Sequence, residues 1–265
     1  MGNSPVCNFE TASSPISRPS AHSLAREQAF WNDHIRHSTA YVFYDDAEYS
    51  RILELLDHKT LAGKRVLEIG CGAGVWTANL VALGAQVVHF DLTPLIVEVA
   101  KQRATPYVTY GLAADMHHLP FTAETFDIVF GSMVLHHAQS HTNLGAEVAR
   151  VLKPNGRGIF HENSAQNPLL MLARATLVGR WGIPKNSSAD EHPLQVDEID
   201  GFAKAFRAYQ VHVGRMVLFQ LAVKYLLKRE HGLLFRLAVY VDNWLYQNCA
   251  RIRPWSYYQI IVCDR

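Results

Sequence analysis

Glu68-Ile69-Gly70-Cys71-Gly72-Ala73-Gly74 sets a carboxylate directly before three glycines at alternate positions. Glycine has no Cβ, so such a loop can turn sharply and bring its backbone close to a ligand. It leads into a helical stretch, whose amide N–H groups and dipole face whatever is bound. A dinucleotide fold seats a pyrophosphate here with the spacing Gly-x-Gly-x-x-Gly. In this chain the third glycine comes one position early, and Glu68 suits a ligand with a positive amine. A second group of chemically capable residues follows in Ser132-Met133-Val134-Leu135-His136-His137 and His161-Glu162-Asn163. A histidine oriented and made more basic by a carboxylate is a proton acceptor near neutral pH. His161-Glu162 does not open a zinc-binding HExxH helix, because Ala165 stands where the second histidine belongs. No metal constellation emerges, and His117-His118 reads as solvated.

These residues need elements to hold them. Helical periodicity is expected over 23–39, which carries Phe30 and Trp31, and over 45–58, with Ile52, Leu53, Leu55 and Leu56 on the apolar side. Strands and helices then alternate. Strands are expected at Arg65–Ile69, Gln86–Phe90, Tyr107–Leu112, Phe126–Phe130 and Gly158–Phe160, the last introduced by a turn at Lys153-Pro154-Asn155-Gly156. Helices are expected at Gly74–Leu83, at Pro94–Arg103 behind Thr93, and at 143–152. Regular β-α alternation makes a doubly wound parallel sheet. Beyond residue 163 the pattern changes: helix over 167–181, polar loop over 182–193, helix near 196–206, strand at 209–213, apolar helices at 217–228 and 233–248, and a strand-like run to Cys263.

The bulk properties exclude several classes. A net charge of +1 offers no global field for nucleic acid, and no basic patch interleaved with aromatics suggests it. The four cysteines, at 7, 71, 249 and 263, show no paired spacing, so neither a disulfide framework nor a zinc site is expected and a reducing cytosol is the default. No apolar run reaches membrane-spanning length without a charge, and the N-terminus lacks the regions of a signal peptide. Met1-Gly2 hints at myristoylation, but Val6 stands where Ser or Thr is wanted. Residues 1–22, rich in Ser, Pro and Asn, read as a disordered tail.

Asp91 ends the second strand, 21 residues after Gly70 (91 minus 70). A carboxylate there can accept from both hydroxyls of a ribose; the competing reading is an N-cap, although Thr93-Pro94 already supplies one. Taken in order, Val66–Gly74, Asp91, Ala113-Ala114-Asp115-Met116, Phe126–Phe130 and Arg150–Gly156 resemble the motifs of the class I S-adenosylmethionine (SAM) methyltransferases. The resemblance covers residues 64–163. It implies a mostly parallel seven-stranded Rossmann-like sheet whose last strand is antiparallel, with 209–215 and 256–263 as the closing hairpin. It divides the chain into N-terminal helices (23–60), a SAM-binding core (61–163), a helical cap (164–208) and a final hairpin (209–265) with a helical insertion at 217–250. It assigns the cofactor to Glu68, Gly70, Cys71, Gly72, Gly74, Asp91, Leu92, Ala114, Asp115, Met116 and Ser132. In the family an Asp at the position of Asp115 accepts from the adenine amino group, and the following residue packs on the ring. Asp127 reads as a fold element, Trp76 as core packing and Cys71 as a small loop residue.

Leu-His-His after the fourth strand, with an acid ending the fifth, is similar to small-molecule O-methyltransferases of natural-product pathways. It implies a base formed by His136 or His137 with Glu162; the alternative is a histidine that only packs beside the cofactor. SAM would be consumed to S-adenosyl-L-homocysteine, and the acceptor would be small and partly hydrophobic. The apolar helices at 217–248, with Phe219, Tyr225, Phe235, Tyr240, Trp244 and Tyr246, could line its pocket, cover the sheet, form a homodimer or lean on a lipid interface. Asp190-Glu191-His192-Pro193-Leu194 is assigned no chemistry. The rivals are N- or C-methylation of a small molecule or lipid head group, a non-catalytic SAM-binding module, and a dehydrogenase.

Overall fold

A computed structural model describes residues 24–37, 46–180, 183 and 191–265; the side chains of residues 24, 34–37, 46 and 47 are outside that description. The tail at 1–22, most of the 182–193 loop and Cys7 lie outside the described residues.

Two helices, α1 (Leu24–His37) and α2 (Asp46–Leu55), precede the sheet. The alternating core follows as β1 (Arg65–Ile69), α3 (Val75–Ala82), β2 (Gln86–Asp91), α4 (Pro94–Arg103), β3 (Tyr110–Ala113), β4 (Phe126–Ser132), α5 (His141–Val151) and β5 (Leu152–Asn163). The C-terminal part is α6 (Pro168–Leu177), α7 (Val196–Ala203), β6 (Ala208–Val213), α8 (Leu218–Leu226), α9 (Leu233–Asn248) and β7 (Tyr258–Asp264). The sheet has seven strands in the order β3-β2-β1-β4-β5-β7-β6. β1 to β5 run parallel, and β7 lies antiparallel between β5 and β6. This is the expected fold class.

The central strands β1, β4 and β7 are largely buried on both faces and read as apolar runs for that reason, whereas the edge strands β3 and β6 are mostly exposed. One face packs Leu67, Ile69, Val129 and Phe160 against Leu144, Val148, Ile199 and Phe202 of α5 and α7. The other packs Val66, Ile128, Phe130 and Ile159 against Ile52 of α2 and Leu80 of α3. Trp76 belongs to this second layer, stacked on Tyr49 with centroids 5.1 Å apart. Asp127 accepts from the Arg65 amide and the Lys153 ammonium, each at 2.9 Å, and so ties β1, β4 and β5 together.

Several boundaries differ from expectation, among them the starts of two strands. β3 starts at Tyr110, three residues late, because β2 ends at Asp91 and its register reaches β3 only from Val88↔Tyr110 onward. The Lys153–Gly156 turn lies inside β5: Leu152 pairs with Phe126 and pairing resumes at Arg157↔Ile128, so the turn is an irregularity within one ladder. Asn155, at φ 62°, makes the bend. The helical insertion forms a hairpin of α8 and α9. Asp242 of α9 is fully buried, and its carboxylate accepts from the Phe219 and Gln220 amides at 3.0 Å each. The charge that interrupts α9 in sequence therefore caps the first turn of α8.

Candidate active site

The glycine loop leaves β1 and enters α3. The amides of Gly70 and Cys71 both donate to the Phe90 carbonyl, at 2.8 and 3.0 Å, which anchors the loop to the end of β2. Gly74 caps α3 at φ 75° and packs so closely on α4 that a Cβ would lie 2.5 Å from the Ala100 Cα. Gly72 is different: at φ 48° it has no atom within 4 Å of a Cβ position, so the space beside it is open.

Glu68 is 2% exposed and accepts a 2.6 Å hydrogen bond from the Thr77 hydroxyl. Burial pushes its carboxyl up to about 8, with the nearby Asp91 adding to the shift and the Thr77 bond opposing it. A buried carboxyl held near neutrality is ionised by an incoming cation, so the site fits the amine of SAM. Asp91 sits across the loop, its two oxygens taking the amides of Gly72 (3.1 Å) and Leu92 (2.8 Å). It does not cap α4; Thr93 does, accepting from the Ile96 amide at 3.3 Å. The Thr93 backbone also favours the Asp91 carboxylate; two carboxylate oxygens offer about four lone-pair sites in all, so acceptor capacity remains for a ribose hydroxyl. Burial, with Asp91 and Glu68 nearby, holds the Cys71 thiol protonated and inert. Ala114 donates its amide to the Asp91 carbonyl at 3.0 Å, and Ala114 and Met116 pack against the buried core.

Asp115 makes a local turn: one of its oxygens accepts from the amide (2.9 Å) and ring (2.8 Å) of His117. His117 is buried, not solvated as expected. Its Nε2 accepts from the Gln139 and Ser140 amides, at 3.1 and 3.3 Å, so the ring pins the segment after β4 to the Asp115 loop. Of this pair only His118 lies in solvent, with its side chain 88% exposed.

Strand pairing sets Ser132, at the end of β4, opposite His161 of β5. Alternation along β5 then sends His161 and Glu162 to opposite faces. His161 lies 3.1 Å from Glu48 of α2 and 3.3 Å from the Ser132 hydroxyl, so Ser132 is turned toward His161. Glu162, with no exposed surface, turns the other way. Its Oε1 accepts from the Val134 and Leu135 amides at 2.7 and 2.6 Å, and its Oε2 meets His136 Nδ1 at 2.7 Å. Burial alone would raise the Glu162 pKa; the His136 ring and the two amides outweigh it and hold the carboxyl below its ordinary range. Of the two histidines, His136 is therefore the one paired with Glu162.

His137 takes a different carboxylate. Its Nδ1 forms an ion pair with Glu27 of α1, and its ring stands edge-on to Trp31 with centroids 5.7 Å apart. Burial works against charge on His137, but Glu27, Glu191 and Glu162 outweigh it and raise the pKa. The two imidazoles lie with centroids 4.1 Å apart. Glu191 completes the cluster: one ligating atom each from His136, His137 and Glu191 fall within 4.8 Å of one another. Glu27, Trp31 and Glu191 were not among the expected site residues. The Glu27–Trp31 spacing, one helical turn with a 3.2 Å indole–carboxylate bond, is the signal that α1 presents a polar pair inward.

Residues 67–160 match a family described as a methyltransferase domain. The chain is 35% identical over 118 residues to the malonyl-(acyl-carrier protein) O-methyltransferase of Legionella pneumophila, covering 42% of this chain and 40% of that protein. It is 31% identical over 157 residues to the mitochondrial ubiquinone biosynthesis O-methyltransferase of Schizosaccharomyces pombe, covering 56% of each. The matches thus span about half, or less, of these curated relatives. Among solved structures, the N-methyltransferase NodS of Bradyrhizobium japonicum, in complex with S-adenosyl-L-homocysteine, shares the fold with a TM-score of 0.55 and 16% identity, covering 90% of this chain and 97% of that one.

Proposed function

We propose, for a chain that belongs to the class I SAM-dependent methyltransferases, that it transfers a methyl group to an oxygen of a small, partly hydrophobic acceptor. SAM, the family's cofactor, supplies an electrophilic methyl on a sulfonium. The observation that carries the oxygen reading is the 2.7 Å contact between His136 Nδ1 and Glu162 at the carboxyl ends of β4 and β5. With Glu162 ionised, Nδ1 keeps its proton and Nε2 is left as the acceptor for a hydroxyl proton. Glu68 would hold the SAM amine, Asp91 the ribose hydroxyls, and Asp115 with Met116 the adenine. The test is methyl transfer to a panel of phenols, alcohols and amines; turnover on amines alone, indifferent to His136, would sink the oxygen assignment.

The Glu68 assignment makes a pH prediction. Its folded pKa of about 8 lies above the ordinary 4.5. The folded chain therefore holds an extra proton between those values, and without ligand Glu68 lowers stability as pH rises through that window. The same proton competes with the SAM amine. SAM affinity is expected to rise from pH 6 toward pH 8 in calorimetric titration, and Glu68→Gln is expected to weaken binding and flatten the dependence. A Gln variant with unchanged affinity and slope would remove Glu68 from the site.

The acceptor class carries a partner reading: contact with the interfacial zone of a membrane through the α8–α9 hairpin. No described helix is long and apolar enough to cross a membrane. Instead the hairpin bend exposes Leu226, Leu227 and Leu233, the last 84% exposed, beside Lys228, Arg229 and Arg236. Apolar side chains within a basic collar match an anionic lipid surface. Purified chain is expected to float with vesicles containing phosphatidylglycerol more than with pure phosphatidylcholine, and the Leu227→Asp/Leu233→Asp variant to stay behind. Vesicle-independent self-association abolished by the same variant would instead make the hairpin a homodimer face. The described cysteines 71, 249 and 263 are free thiols, in keeping with action in a reducing cytoplasm.

A further inference from the structure

His136 and His137 are neighbours on one short turn and Glu191 lies more than fifty residues later (191 minus 137 is 54), yet one ligating atom of each falls within 4.8 Å of the others. Both His136 Nδ1 and His137 Nδ1 face carboxylates, Glu162 and Glu27 respectively. The nitrogens left to meet a ligand are the two Nε2 atoms. Two imidazoles each backed by a carboxylate at Nδ1, together with a third carboxylate, match the way protein metal sites orient their histidines. Imidazole nitrogen, which releases any Nε2 proton on binding an ion, together with a carboxylate oxygen suits zinc and its neighbours rather than magnesium or calcium. Donor atoms bonded at about 2.0–2.1 Å to a tetrahedral zinc stand roughly 3.4 Å apart, so an ion would draw together donor groups that lie within 4.8 Å of one another without it. The charges favour a cation as well: Glu27, Glu162 and Glu191 place three carboxylates around two imidazoles in a largely buried pocket.

We propose that His136, His137 and Glu191 bind one divalent transition-metal cation, with Glu162 and Glu27 as the groups that orient the two rings. His136 Nε2 cannot hold a metal and accept a proton at once. Occupancy of this site therefore blocks the base, a consequence that rests on the His136 reading while the site itself does not.

The test uses the full chain with Zn²⁺ as probe, titrated against a chromophoric chelator, with SAM binding and circular dichroism as checks on folding. One equivalent is expected to bind, and Glu191→Gln and His137→Gln to weaken it by about 10-fold or more, while both variants keep the wild-type spectrum. Glu27→Gln, which touches the ring and not the ion, is expected to weaken it by about 10–100-fold. Absence of stoichiometric binding, or affinity unchanged in folded Glu191→Gln, overturns the site. Turnover is expected to fall as Zn²⁺ fills the site and to recover on adding chelator. Turnover that instead requires the cation supports the site and overturns His136 as base. Turnover indifferent to full occupancy overturns the blocking consequence.

Discussion

His136→Asn is expected to lower turnover on an oxygen acceptor by about 10²–10⁴-fold while leaving SAM affinity close to that of the wild type. Asn is the informative replacement. Its side-chain amide can still donate to Glu162, which has no exposed surface and is ionised. Ala would leave that carboxylate with only the Val134 and Leu135 amides, and breaking a buried pair costs about 3–5 kcal/mol of stability. A fall in turnover in the Ala variant could then come from unfolding, whereas in Asn it reports the missing Nε2. Glu162→Gln is expected to lose turnover as well, because a neutral amide no longer fixes the proton at Nδ1. It also removes the anion that two backbone amides share, so its melting temperature should fall more than that of His136→Asn. Steady-state kinetics beside thermal melts separate the two. Full turnover in folded His136→Asn means that the histidine only packs beside the cofactor.

Gly74→Ala should be the most damaging single-methyl change in the glycine loop. Gly74 sits at φ 75°, where an L side chain costs about 1–2 kcal/mol. The new Cβ would also meet Ala100 at 2.5 Å from its Cα and 2.9 Å from its carbonyl oxygen. These are backbone atoms of α4, so relief requires the α3–α4 packing to open, at about 1–3 kcal/mol more. A total loss of about 2–5 kcal/mol follows, read as a clear drop in melting temperature. Gly72→Ala is the control. It carries a comparable backbone strain but no clash, so it should lose less stability; because its methyl enters the open space beside the loop, its SAM affinity should fall more than its stability. Equal stability loss in the two variants would show that the close approach of Gly74 to α4 is wrong.

Much of the fold and the glycine turn after β1 could be read directly from the sequence, because their signals are local. Alternating apolar runs and breaks announced β1, β2, β4 and the helices between them, and α4 begins and ends where its Thr93-Pro94 cap and basic last turn place it. The glycine spacing and the acids ending β1 and β2 lie within a single β-α-β unit, so sequence distance and spatial distance agree. The family resemblance pointed to Glu162 as the acidic partner, and alternation along β5 sends it to the face opposite His161. Sequence could not say which histidine Glu162 meets. His136 and His137 are neighbours on one short turn, and their ring directions depend on what packs against each. Only the tertiary structure brings Glu27 of α1 to His137 and Glu191 to both rings, and only it buries His117. Such contacts leave no periodic mark, because they arise from how separately formed elements settle on the sheet. The helical hairpin shows the same division: its apolar content was plain in sequence, but the pairing of Asp242 with the start of α8, and the resulting exposure of Leu233 at the bend, follow from packing alone.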